Sequence, residues 1–401
     1  MSKVDELIQE LCPDGVERVP LGEVAKVSRG KRFVKADMID SGVPCIHYGE
    51  IYTHYGVQAR EAKSFLTEER AEKLRFADPG DVVLASTGET EEDLGKSVAW
   101  LGDEPVVIHD ACYRVESDFD ARFLSYYFAT PQFRDSFKRS VSTGKVSSVS
   151  VKGIENALIP MVPRQVQEEI VRILDAFVEL DRELEQEIAG REKQRGLMLE
   201  RFFATLKNFE KAPLSRVGEI ITGRTPPAKN RDDWGSELDF ITPGDIEDGT
   251  RLIRKTNRAL SETGAERMQK IVIPPDSVCV VCIASLGKMG MNQNWAITNQ
   301  QINSVKVGKG FDARYIFNAL EYRRPELARL GGAGTTTMPI VNKTTFSQIE
   351  IPLPPLEVQE EIATELDTFT EYIDNLKRER ELRQKQYEYY RDQLLDFEAK
   401  E

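Results

Sequence analysis

Histidine and cysteine are scarce in this chain, with three and five copies among 401 residues. Five cysteines scattered along so long a chain make no disulfide framework and point to a reducing, cytoplasmic setting. Zinc is disfavoured as well. Cys279-Val-Val-Cys282 is a lone pair inside an apolar strand-like run, and His47, His54 and His109 have no ligand spacing. No apolar stretch approaches the ~20 residues of a membrane span; runs such as VCVVCIA (278–284) are strand-sized. The opening MSKVDELIQEL reads as an amphipathic helix, not a signal peptide. There is no GxxxxGK[ST] loop for a nucleoside triphosphate. A DNA methyltransferase would need a glycine-rich cofactor loop and an Asn/Asp-Pro-Pro-aromatic tetrapeptide. Ile273-Pro274-Pro275-Asp276 lacks both the leading amide or acid and the aromatic. Asp40, Glu61 and Lys63 fit a loose nuclease spacing that recurs by chance. No catalytic and no metal residue is assigned.

What the chain has instead is a repeat. IPMVPRQVQEEI (159–170) returns as IPLPPLEVQEEI (351–362), 192 residues later. The offset holds near 192–195 elsewhere: VPLGEVAKVSRG (19–30) matches APLSRVGEIITG (212–223), and IHYGEI (46–51) matches ITPGDI (241–246). This is duplication of a whole domain rather than a solenoid period. Each copy starts with a mixed segment rich in glycine, proline and β-branched residues, with strand-like runs such as DVVLAST (81–87) and PVVIH (105–109). The prolines of IPMVP and IPLPP then mark a helix start. A long helical run follows.

Both runs hold a heptad seam. Alternating steps of four and three from Ile362 reach Leu366, Phe369, Ile373 and Leu376, pass Arg380 and Arg383, and go on to Tyr387, Tyr390, Leu394 and Phe397. From Ile170 they reach Leu174, Phe177, Leu184, Ile188, Met198 and Phe202, interrupted by Asp181, Arg191 and Arg195. A seam sustained this long suits a coiled coil of roughly 60 Å. The reading is therefore α/β (α+β): two similar globular domains separated by two long antiparallel coiled-coil helices, with an internal pseudo-two-fold. The expected boundaries are an N-terminal helix (1–17), a globular domain (18–163), a spacer helix (164–208), a second domain (209–355) and a second spacer helix (356–401). The N-terminal helix aligns with the end of the central helix, as though the repeat were cyclic.

The net charge of −13 argues against nucleic acid until it is located. Residues 18–160 hold 19 basic and 22 acidic side chains, and residues 211–352 hold 19 basic and 15 acidic. The acid therefore sits in the helices and termini, leaving the globular parts free to present basic faces.

The paired IPMVPRQVQEEI and IPLPPLEVQEEI, with PLGEVAKVSRGK, GDVVLASTGE, IHYGEIYTHYG and ITNQQINSV (297–305), resemble the DNA-specificity subunit of type I restriction–modification systems. The likeness covers essentially the whole chain. It implies a non-catalytic, sequence-specific DNA-binding protein whose two target recognition domains each read half of a bipartite, asymmetric target. It further implies two methyltransferase subunits docked on the helices, supplying S-adenosylmethionine for adenine methylation, and allows a restriction or translocase subunit to join them. No cofactor is expected in this chain.

Residues suited to double-stranded DNA follow from donor chemistry. Arg29, Lys31, Arg32 and Lys35 flank Gly30; Arg224, Thr225 and Lys229 flank Gly223. Tyr48, Tyr52 and His54 form a polar-aromatic cluster. Lys145 and Ser147, and likewise Thr335 and Thr336, lie in small, hydroxyl-rich loops that suit phosphate. Arg251 and Arg254 belong to a second basic run. Asn299, Gln300, Gln301 and Asn303 suit adenine, with a strand-edge role equally open. The acidic run at Glu89 reads as a solvated loop, with cytosine N4 as the minor alternative. Gln167, Glu168, Gln359 and Glu360 of the repeated motif are expected to bind the partner subunits. Two rivals remain: a self-sufficient nuclease, and a coiled-coil scaffold that binds proteins without reading DNA.

Overall fold

The computed structural model describes residues 3–90, 93–142, 147–227, 229–332 and 338–400. It divides into two compact units, 1–183 with 381–401, and 184–380. Two long helices, Arg164–Thr205 and Leu356–Leu394, each contribute part of their length to both units. Among the described residues no helix is long and apolar enough to cross a membrane.

The two units share one α+β topology. The first has a five-stranded sheet in the order Ala25–Arg29, Cys112–Ser117, Val82–Ala85, Ser97–Trp100, Gln58–Ala59. The second repeats it as Gly218–Thr222, Ile302–Val307, Val278–Val281, Met289–Asn292, Leu252–Ile253. The central strands VVLA and VCVV are buried at every position, so they are apolar on both faces. Beside each sheet lies a second one that contains a parallel pair, central in the first unit and at one edge in the second. Val43–Ile46 runs parallel to Val106–Ile108, and Leu238–Ile241 runs parallel to Ala296–Thr298.

The repeated motifs have a structural reason: they pair with one another. Val19 lies opposite Ile159, and Ala212 opposite Ile351, in two short antiparallel ladders. The following leucine is held too, Leu21 N–H to Ala157 O at 2.8 Å and Leu214 N–H to Ile349 O at 3.0 Å. The prolines then act as expected. Pro163 O accepts from Val166 and Gln167, and Pro355 O from Val358 and Gln359, which closes the first turn of each long helix. Val166, Ile170 and Leu174 enter the first core; Ile362, Ala363 and Leu366 enter the second.

Within the second unit the long helices run antiparallel. Glu185 pairs with Arg380 at 3.4 Å, Glu192 with Lys377 at 2.7 Å, and Arg195 donates to Thr370 at 2.8 Å. Leu184, Ile188, Ile373 and Leu376 are buried on the seam. In the first unit Phe177 of one helix stacks on Tyr390 of the other at 5.7 Å. The short helix Lys3–Leu11 buries Val4 in the first core, where the central helix buries Leu199 in the second.

One element was not foreseen. The C-terminal tail leaves the helix and binds the N-terminal segment. Val16 N–H donates to Glu398 O at 2.8 Å, Lys400 N–H donates to Val16 O at 3.1 Å, and Leu395 and Phe397 are buried. Gly15, at φ +88°, has Ala399 O only 2.8 Å from where a Cβ would stand, so glycine is required there.

Candidate nucleic-acid interface

In each unit a rim forms where the two parallel strands end. The residues just past them sit side by side: His47 with His109 in the first unit, Thr242 with Asn299 in the second. The backbone is the same in both. His109 N–H donates to Ile46 O at 3.2 Å; Asn299 N–H donates to Ile241 O at 2.9 Å. The turn after the first strand is capped identically, His47 N–H to Glu50 Oε2 at 2.9 Å and Thr242 N–H to Asp245 Oδ2 at 2.8 Å.

The glycine-centred basic loop crosses this rim. Lys31 N–H donates to Ile108 O at 3.2 Å, and Arg224 N–H to Thr298 O at 2.9 Å. A Cβ on Gly30 would stand 2.1 Å from His109 O, and one on Gly223 2.1 Å from Thr298 O. Close backbone crossing, not contact with phosphate, explains both glycines. It also delivers Lys31 and Arg224, both exposed, to the same place on the two rims.

Around the first rim the fold collects cations from distant sequence. Arg29 Nε donates to Asp110 O at 2.6 Å. Lys31 Nζ reaches Lys73 O at 3.0 Å, Arg70 reaches Arg32 O at 2.9 Å, and Arg75 donates to Arg29 O. Lys35 is exposed nearby. Arg70, Lys73 and Arg75 were missed in the sequence, where they look like an ordinary charged run. The second rim holds cations too: Arg224 is exposed on it, and Lys288 Nζ donates to Pro243 O at 2.8 Å. Thr225 Oγ1 donates to Gln300 Oε1 at 2.6 Å, and Lys229 is exposed.

Aromatic rings pack beneath the first rim. His47 and His109 lie 4.4 Å apart, with Tyr48 4.6 Å from His47 and Phe33 5.1 Å from His109. The sequence suggested no such meeting of histidines. Burial holds His47 well below its ordinary range, at about 4, with His109 and Lys35 adding to the effect. Burial lowers His109 too, although Asp110 opposes it. Both rings are thus neutral near pH 7. Among the described residues no three His, Cys, Asp or Glu are placed to hold a metal ion.

Several expected site residues are placed differently. Tyr52 is half-buried and donates to Thr87 O, while His54 is exposed and turned toward Tyr55, so the expected aromatic cluster divides. Ser147 is buried in a strand between Thr87–Gly88 and Val141–Ser142, not in an open loop. Arg251 is 14% exposed and ion-paired with Asp367, and Arg254 pairs with Asp374 at 2.8 Å. Both acids belong to the second long helix, so both arginines brace that helix; Arg251 is withdrawn from solvent, whereas Arg254 keeps 55% of its side chain exposed. Asn299 and Asn303 are buried, whereas Gln300 is exposed. Lys145, Thr335 and Thr336 lie outside the described residues.

The repeated glutamines also need correction. Gln167 is 5% exposed; its Oε1 accepts from Asp120 N–H at 2.9 Å and its Nε2 donates to Val162 O at 2.8 Å. Gln359 is 2% exposed and does the same with Asp312 N–H, at 3.2 Å, and Pro354 O, at 2.8 Å. Neither amide is open to a partner. Each clasps the long helix to a helix cap of its globular unit. Glu168 and Glu360 remain exposed.

A family model described as the type I restriction modification DNA specificity domain matches twice, over residues 13–190 and 207–384. This chain belongs to that family. Over 418 aligned residues it is 27% identical to the Escherichia coli type I restriction enzyme EcoR124I/EcoR124II specificity subunit, covering 99% of this chain and 98% of that one. It is 34% identical over 156 residues to the Haemophilus influenzae HindI specificity subunit, spanning 38% of this chain and a third (33%) of that protein's length. Among solved structures it resembles the S subunit of the M. genitalium type I restriction-modification system (12% identity, TM-score 0.56, covering 95% and 96% of the two chains). It also resembles a chain from a study of type I complex assembly and conformational transition (19%, TM-score 0.62, 95% and 97%). At these identities the structural likeness speaks for the fold alone.

Proposed function

We propose that this specificity chain reads a two-part DNA target, one half with each unit, and presents it to methyltransferase subunits that carry out the chemistry. The observation that carries this reading is the duplicated rim: one backbone arrangement, used twice in a single chain, with a different set of exposed polar side chains each time. A duplicated scaffold does for one chain what dimerisation does for other DNA readers, and divergence of its side chains makes the two halves unlike. The cations at the first rim supply the sequence-independent attraction that an acidic chain otherwise lacks. The full-length likeness to a curated specificity subunit agrees with this division of labour. Two methyltransferase copies, one for each repeat, would use S-adenosylmethionine to methylate adenine, and a restriction subunit can join the same complex. The setting is the cytoplasm.

The test is a methylome. The chain is expressed with its methyltransferase in a host free of DNA methylation, and modified bases are mapped. Two unlike short sequences separated by a fixed gap support the proposal. A stable complex with no sequence preference returns the chain to a protein-binding scaffold.

A further inference from the structure

The two rims can be compared position by position, because their backbones superpose in hydrogen bonding. Beyond the bonds already given, Gly30 N–H donates to Cys112 O at 3.0 Å and Gly223 N–H to Ile302 O at 3.2 Å; Cys112 N–H returns to His109 O at 2.9 Å and Ile302 N–H to Asn299 O at 3.2 Å. The scaffold is thus held constant. The side chains on it are not. Lys31 is replaced by Arg224, His109 by Asn299, and Asp110 by Gln300. Of these, His109 and Asn299 are buried, while Lys31, Arg224 and Gln300 are exposed and Asp110 is half-buried, so the outward groups differ on one backbone.

Chemistry distinguishes the two sets. In the second unit Gln300 is exposed, and Thr225 Oγ1 fixes its amide by donating to Oε1. That leaves both Nε2 protons and the second lone pair of Oε1 unbonded on an exposed side chain, the donor–acceptor pair that matches adenine N7 and N6 in the major groove. In the first unit the same place holds Asp110, whose Oδ1 lies 3.2 Å from His109 Nε2 and whose carbonyl takes Arg29 Nε. There the exposed donors are Lys31, whose counterpart Arg224 is also a cation, and Arg29, whose counterpart is the half-buried Thr222 bonded to Asn303; the added cation Arg29 together with Lys31 matches guanine O6 and N7.

We infer that these rims are the base-reading heads of the two units, with Gln300 selecting an adenine in one half-site and Lys31 with Arg29 selecting a guanine in the other. The inference rests on the proposed function and sharpens it. It also gives Asp110 a part: its carbonyl takes Arg29 Nε at 2.6 Å and its Oδ2 lies 3.9 Å from Arg29 Nη2, so it holds the cation beside it.

The test uses the full chain in its methyltransferase complex, with modified bases mapped for the wild type, Gln300→Ala and Lys31→Ala. Gln300→Ala is expected to relax one adenine position in one half-site, with discrimination there falling on the order of 10- to 100-fold. Lys31→Ala is expected to relax one guanine position in the other half-site. The gap and the opposite half should be untouched in each. Affinities of the purified complexes for duplexes changed at that single base supply a second readout, independent of turnover. Unchanged motifs overturn the inference. So does uniform loss of methylation with the motif intact, which would assign these residues to phosphate contact or to folding. A wild-type complex that yields no two-part motif would instead sink the proposed function.

Discussion

Replacing Gln359 by leucine separates two explanations of the repeated VQEEI motif. The side chain is 2% exposed and satisfies two backbone groups, Asp312 N–H and Pro354 O. Leucine fills nearly the same volume but leaves both groups buried without a partner. Each orphaned group costs ~1–3 kcal/mol, so the second unit should lose about 2–6 kcal/mol. At ~2–4 °C per kcal/mol for a unit of this size, its melting transition should fall by about 4–24 °C. Gln167→Leu should act equally on the first unit, because its bonds, 2.9 and 2.8 Å, are at least as short. Glu360→Ala, on the exposed face, should change stability by less than ~0.5 kcal/mol. Calorimetry of the purified chain reads all three, and titration with the methyltransferase reads partner affinity. The clasp argument is refuted if Gln359→Leu leaves melting unchanged while weakening the partner.

Three further outcomes are expected. Gly223→Ala forces a Cβ to within 2.1 Å of a carbonyl and should cost at least ~2 kcal/mol, whereas Gly190→Ala, with no atom within 4 Å in a long helix, should stabilise by ~0.5–1 kcal/mol; urea midpoints compare them. Arg195 bridges Glu321, at 2.7 Å, to Thr370, so Arg195→Met should cost about 2–3 kcal/mol, and the double change Arg195→Met with Glu321→Met should recover part of it by the same assay. His47 has a folded-state pKa of about 4, below its ordinary value, so the fold favours the neutral ring. Its contribution is whole above pH ~6.5 and is lost as pH falls toward 4, because the unfolded chain takes up the proton first. Urea midpoints at pH 7.5 and 4.5 should therefore differ less in His47→Asn than in the wild type.

Much of the architecture was legible because it is written in local pattern. Pro163 and Pro355 start helices wherever they occur in such a context. The seam from Ile362 to Leu376 buries one face by its spacing alone. The offset of 192 residues makes the second unit a copy of the first. The site was less legible, because base readers are chosen by where a side chain points. Gln167 and Glu168 are neighbours in sequence, yet the helix turns one inward and the next outward. Arg251 looked free until Asp367, 116 residues away, closed on it.

Sequence alone, then, determined the duplication, the helix starts and the apolar seam, since each depends on residues within a turn or two of one another or on identity between copies. Tertiary structure alone decided which cations gather, which amide faces out, and that His47 and His109 touch. Those outcomes depend on strands whose ends meet across more than sixty residues of chain, and strand pairing sets the direction of every side chain on them.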